Sequence, residues 1–185
     1  MKAHTIISTQ THNDQAGDEM IHNIEEKNEG MNVHLSLFEK NGSHTTIHIQ
    51  ELERIEAGDM LADLFQIEMS APIWKIVRLH CIHEEPIELE YLYVPVGLLP
   101  QLTKQACHAD FTHLIEQQNE ASFQSAENEI TPHMLLKKEK ELLETSQALT
   151  NKLSSKRYLD NGRTYTYSET IFREAAFTFT MTKKR

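Results

Sequence analysis

Cysteine is nearly absent: Cys81 and Cys107 are the two thiols in 185 residues. They show no metal or redox spacing, so reduced structural thiols are the default. The chain also lacks a Walker motif, a Gly-rich dinucleotide loop, a G-x-S-x-G elbow and a CxxC pair, and no cofactor is expected. No apolar run approaches bilayer-spanning length, and the N-terminus MKAHTIISTQTH has no hydrophobic signal core. A cytoplasmic protein without a membrane partner is expected.

Positive charge is scarce as well. Eighteen Lys and Arg face 28 Asp and Glu, for a net charge of −10. A chain this acidic is a poor nonspecific binder of nucleic acid, because neutralising phosphates requires clustered cations. Residues 1–44 hold three Lys, no Arg and seven Asp or Glu. They are too few, too acidic and too polar for a three-helix DNA reader with a basic recognition helix. No direct nucleic-acid contact by this chain is expected.

What remains is ordinary globular material, 39% apolar and 25% charged, enough for one domain with a real core. Residues 1–32 read as a polar, flexible arm with one short helix at most, and residues 33–185 as the folded domain. The organising stretch is Ile73–Pro95, IWKIVRLHCIHEEPIELEYLYVP. Its period of two and its β-branched and aromatic content predict two strands around a tight turn. A three-residue loop over His83–Glu85 places Arg78 opposite Glu90 and His80 opposite Glu88, on one face with Trp74, Ile76 and Leu92. Such a face is either a solvated outer surface or the floor of a ligand pocket. Pattern alone favours the solvated surface, since cross-strand Arg–Glu pairs are ordinary there.

The other elements follow from similar signals. Val33–Phe38 reads as a short strand or helical turn, and Thr45–Arg54 as a strand. A helix follows Gly58 with Asp59 as its cap. Gln101–His108 and Asp110–Gln118 read as short helices, Glu120–Ile130 as a strand, and His133–Thr145 as a helix opened by Pro132. Ala148–Tyr158 and Thr164–Phe172 form a hairpin around Asn161-Gly162, and Ala175–Met181 adds a last strand. That strand carries no charge until Lys183, so its edge is expected to be paired or covered. His80-Cys81-Ile82-His83 suggests a metal site, but on a strand His80 points away from Cys81 and His83. Zinc needs three or four convergent ligands, so no metal is expected.

Arg78, His80, Pro86-Ile87, Glu90 and Tyr93-Val94-Pro95 resemble the R-x-R, turn, P-I-x-x-E, Y-L-P signature of the UTRA domain. Asp160, Gly162, Tyr167-Ser168 and Phe172-Arg173 resemble the block that ends such domains. UTRA is the effector-binding half of GntR-type, HutC-subfamily transcription regulators, and it is similar in fold to chorismate lyase. The resemblance implies an α+β, chorismate lyase-like fold with a central, mostly antiparallel sheet of about six strands flanked by short helices. It implies a homodimer and a small-molecule effector, such as a sugar, a sugar derivative or another small metabolite. It implies ligand-binding roles for Arg78, His80, Glu88, Glu90, Asp110, Thr112, Thr166 and Phe172.

Four positions depart from the family pattern. His80 stands for its second Arg, Asp110 and Thr112 for a Ser and a Tyr, and Thr166 for an acid. His for Arg and Asp for Ser each weaken a phosphate site. The alternative function is a lyase of the chorismate lyase type, which uses a pocket Arg and Glu. Binding without catalysis is the reading carried forward.

Overall fold

The computed structural model describes residues 45–109, 111–119 and 121–173, together with four strands outside those spans. Those four are β1 (Ile7–Thr9), β2 (Ile24–Glu26), β3 (Met31–Leu37) and β10 (Phe177–Lys183). Between them run β4 (Thr45–Glu56), α1 (Gly58–Phe65), β5 (Pro72–Ile82), β6 (Glu85–Pro95) and α2 (Phe111–Asn119). Then come β7 (Phe123–Met134), α3 (Lys137–Leu142), β8 (Leu149–Leu159) and β9 (Thr164–Phe172).

Six strands form one sheet in the order β4-β5-β6-β9-β8-β7, and every pairing in it is antiparallel. The fold is therefore α+β, with short helices on a meandering sheet, as the alternating runs predict. β1 pairs with β2, and β10 pairs with β3 from Phe177↔Leu37 to Lys183↔Met31. The last strand thus takes a partner from its own chain, and β1 and β2 appear where one short helix at most was expected.

The central hairpin reaches the expected register by a different route. Its turn has two residues, His83 and Glu84, between Ile82↔Glu85 and Cys81↔Pro86. The register then slips by one, so that His80 faces Glu88 and Arg78 faces Glu90. A bulge at Ile87 compensates for the shorter turn and returns the four polar side chains to one face. His83 and Glu84 both take left-handed φ, 51° and 65°. That is the conformation of a two-residue I′ turn, which favours Asn and Gly.

Three other expectations need correction. Pro132 and His133 do not open a helix; they lie in β7, and the helix begins at Lys137. β7 is at the sheet edge, where a missing N–H costs no ladder bond. Asp59 does not cap α1: the cap is Ala57, without a side-chain bond, and Asp59 sits in the first turn. Of the helix expected over Gln101–His108, a single 3-10 turn forms, at Ala106–His108. Asp110 falls outside the described residues.

The two faces of the sheet are covered differently. On one, Trp74, Ile76, Leu92 and Val94 pack with Leu99, Cys107, Phe111, Ile115 and Tyr165. The Trp74 indole donates to the Leu99 carbonyl at 2.7 Å, while Arg54 lies over its ring and donates to the Pro100 carbonyl. These contacts draw the segment from Leu98 into α2 across the face that carries Arg78. On the other face, Val77, Leu79, Leu89 and Ile171 pack with Leu135 and Leu143 beside α3. Glu139 anchors α3 there, accepting from the Leu136 amide at 2.7 Å and lying 2.9 Å from His133 Nε2.

Two stability measurements follow. His83→Asn combined with Glu84→Gly relieves two left-handed side chains and raises stability by about 1 kcal/mol in chemical denaturation. Ile115→Ala empties a fully buried position under α2 and lowers stability by about 2–5 kcal/mol.

Candidate effector site

β5 and β6 bring four titratable side chains onto one face. Nε and Nη2 of Arg78 both lie 2.5 Å from Oε2 of Glu90. His80 Nδ1 is 3.4 Å from Glu88 Oε1, and His80 Nε2 is 3.5 Å from Glu90 Oε2. The last separation lets the charges interact without forming an aligned hydrogen bond. Arg78 and Glu90 each keep only 13% of their side-chain surface exposed. This is not the bulk-solvent face that pattern alone favoured.

The remaining donors of Arg78 turn to the chain above. Nη1 donates to the carbonyls of Cys107 and Ala109, each at 3.4 Å. The guanidinium lies 5.4 Å from the centre of the Phe111 ring at the start of α2. Arg78 therefore ties the sheet to the segment that leads into α2.

β9 and β8 extend the face. Phe172 is opposite Glu88, Thr170 opposite Glu90, and Ser168 opposite both Leu92 and Ser155. Phe172 is 1% exposed. Thr166 is buried and pairs with Arg157, whose Nη1 donates to Thr112 Oγ1 at 2.8 Å. The Thr112 hydroxyl is also 3.2 Å from that of Tyr165.

The expected residues thus fall into two groups. Arg78, His80, Glu88, Glu90 and Phe172 form one; Thr112 and Thr166 join Arg157 and Tyr165 in the other. Thr166 is four residues along β9 from Thr170, a separation of about 13 Å. Consecutive residues of α2, Phe111 and Thr112, contact the two arginines and bridge the groups. Sequence reasoning missed Arg157, Tyr165 and Phe111. The signal for Arg157 was the Asn-Gly hairpin, which brings it beside Thr166, but a register slip at Arg157/Tyr158 obscures the pairing. Among the described residues no three His, Cys, Asp or Glu are arranged to hold a metal ion.

Electrostatics divide the four groups. Burial pushes against the His80 imidazolium, but Glu90 and Glu88 outweigh it and raise His80 above its ordinary 6.5. Burial raises Glu88, with His80 acting against it. Glu90 is also penalised by burial, yet Arg78 and His80 together hold it well below the usual carboxylate range.

The signs give a pH window. The Glu90 contribution is present above about pH 4.5, its ordinary value, and is lost as pH falls toward its depressed folded value. The His80 contribution is complete below about 6.5 and is lost as pH rises through its raised folded value. Glu88 acts in the same direction as His80, because its proton is held more tightly in the folded state. Unfolding free energy measured from pH 5 to 8 should decline on the alkaline side. His80→Gln should flatten that decline; an unchanged profile would remove His80 from the linkage.

The UTRA domain family matches residues 40–178. The chain is 31% identical over 146 residues to the mannosyl-D-glycerate transport/metabolism system repressor MngR of Escherichia coli, covering 77% of this chain and 60% of that protein. It therefore spans about three-fifths of the length of that curated relative. Among solved structures, the effector binding domain of the B. subtilis trehalose repressor TreR aligns with a TM-score of 0.64 and 22% identity. That alignment covers 76% of this chain and 97% of that one. A GntR-family regulator from Bacillus cereus aligns with a TM-score of 0.66 and 22% identity, covering 74% and 96%. With the Arg78–Glu90 hairpin, the six-stranded antiparallel sheet and the family match over most of its length, the chain belongs to the UTRA domain family, the effector-sensing module of GntR/HutC-type regulators.

Proposed function

We propose that the face carrying Arg78, His80, Glu88 and Glu90 binds the effector, with Thr112, Thr166 and Phe172 along its extension, and that Asp110, which precedes Phe111 in the sequence, takes part. The observation that carries this reading is the Arg78–Glu90 pair, buried beneath the segment that leads into α2. A solvated outer face does not need two carboxylates and an arginine withdrawn from water in this way. The effector is a sugar, a sugar derivative or another small metabolite. The E. coli relative, named for mannosyl-D-glycerate, directs the search first to glycosides and sugar acids.

The regulator reading carries further proposals. Residues 1–32 form an arm separate from the ligand-binding domain, and the chain works in the cytoplasm as a homodimer without contacting nucleic acid itself. Sedimentation at micromolar concentration tests the dimer, for which a single 21 kDa species would be contrary. A gel shift against duplex DNA tests the last point, and micromolar, salt-sensitive binding would contradict it.

A thermal-shift screen of sugars, sugar acids, sugar phosphates and amino acids tests the site. A ligand at 100 times its Kd adds about 2.7 kcal/mol of stability. Thr166→Val should reduce the response to a hit. Chorismate belongs in the same screen. Release of 4-hydroxybenzoate and pyruvate from it would replace the sensor reading with the lyase one.

A further inference from the structure

We infer that Glu88 accepts a hydrogen bond from a hydroxyl of the effector, and that this end of the site takes the uncharged, polyhydroxylated part of that molecule. The inference rests on the effector-site reading and specifies its ligand class. Glu88 lies outside the motif that carries the family resemblance, in the unspecified part of P-I-x-x-E.

The first observation is unfilled hydrogen-bonding capacity. Glu88 is 8% exposed, yet its Oε2 has no hydrogen-bond partner, and the same holds for His80 Nε2 beside it. A buried carboxylate oxygen without a donor costs on the order of 1–3 kcal/mol or more, so such atoms require an explanation. Both orphan atoms lie in one cluster on the candidate effector face, where a ligand can supply the missing partners.

The second observation is that the local positive charge is already engaged. Arg78 directs Nε and Nη2 at Glu90 and Nη1 at two carbonyls. A phosphate or carboxylate arriving here would have to displace Glu90 and would also meet Glu88. An ammonium group could donate to Glu88 but would also face Arg78 and His80. Charge of either sign is therefore disfavoured, while a hydroxyl can donate to Glu88 Oε2. A neighbouring hydroxyl can accept from His80 Nε2, which donates in the imidazolium form that Glu90 and Glu88 favour. Further along the face, Thr170, Ser168 and Ser155 are small, uncharged and hydroxylated.

The test uses the 185-residue chain with D-mannose, D-mannitol, mannose 6-phosphate, glucosamine and inorganic phosphate. Its readouts are thermal shift and titration calorimetry. Mannose or mannitol should raise Tm, and inorganic phosphate should not. Glu88→Gln keeps an oxygen acceptor and should weaken sugar binding about tenfold, the effect of roughly 1.4 kcal/mol. Glu88→Met should abolish the response while leaving the ligand-free protein nearly as stable, because Oε2 has no partner to lose and the Oε1 contact with His80 is long, at 3.4 Å.

A purely structural Glu88 predicts the opposite: Glu88→Met loses stability and Glu88→Gln binds sugar normally. Either result overturns the inference. Binding by mannose 6-phosphate, glucosamine or phosphate with no response to uncharged sugars overturns it too, but leaves the effector site standing. No response from any of the three classes counts against both.

Discussion

The ion pair between Arg78 and Glu90 holds the site face together. Removing two charges from water is costly, and their mutual attraction offsets that cost only with close geometry and further hydrogen bonds. Both conditions hold here. Two guanidinium nitrogens sit 2.5 Å from one carboxylate oxygen, and the remaining arm meets the Cys107 and Ala109 carbonyls. Losing one partner of such a pair strands a buried charge, at a cost of about 3–5 kcal/mol. The pair therefore constrains the β5–β6 register, the path of the chain before α2 and the place of Phe111 together.

The two faces of the sheet divide the work. The face beside α3 is filled by aliphatic side chains, with polar groups such as Glu139 satisfied locally. Its task is cohesion. The Arg78 face is apolar at one end, where Trp74, Ile76 and Val94 meet the 98–115 segment, and polar at the other, where Glu88 and Glu90 meet His80. The face thus joins an apolar half that fixes the covering chain to a polar half with unfilled hydrogen bonds. Alternation along a single strand produces it, because Trp74, Ile76, Arg78 and His80 are successive residues on one face.

Much of this was legible in the sequence wherever a local rule and the fold agreed. Alternation from Trp74 to Val94 gave the hairpin, and Asn161-Gly162 gave β8 and β9. There the turn closes with Gly162 at φ 78° and a bond from its amide to Leu159. The expected partners of Arg78 and His80 were right although the turn was not, since two deviations cancelled. A residue shorter in the loop was restored by the bulge at Ile87, and neither feature has a local signature in His83-Glu84-Glu85-Pro86. Pro132 misled because it suits both a helix start and an edge strand, and strand order across the sheet decides between them. Arg157 was invisible for a related reason: its relevance depends on α2 crossing the sheet, a tertiary fact.

The saturation of Arg78 changes what the family motif means in this chain. An arginine in a ligand motif is usually read as a hand extended to an anion. Here four of its contacts are internal, and its geometry makes it a clamp between β5 and the start of α2. A second arginine, Arg157, holds the next residue of α2 through Thr112. The first turn of α2 is thus fastened to the sheet at two points, through Phe111 on Arg78 and Thr112 on Arg157.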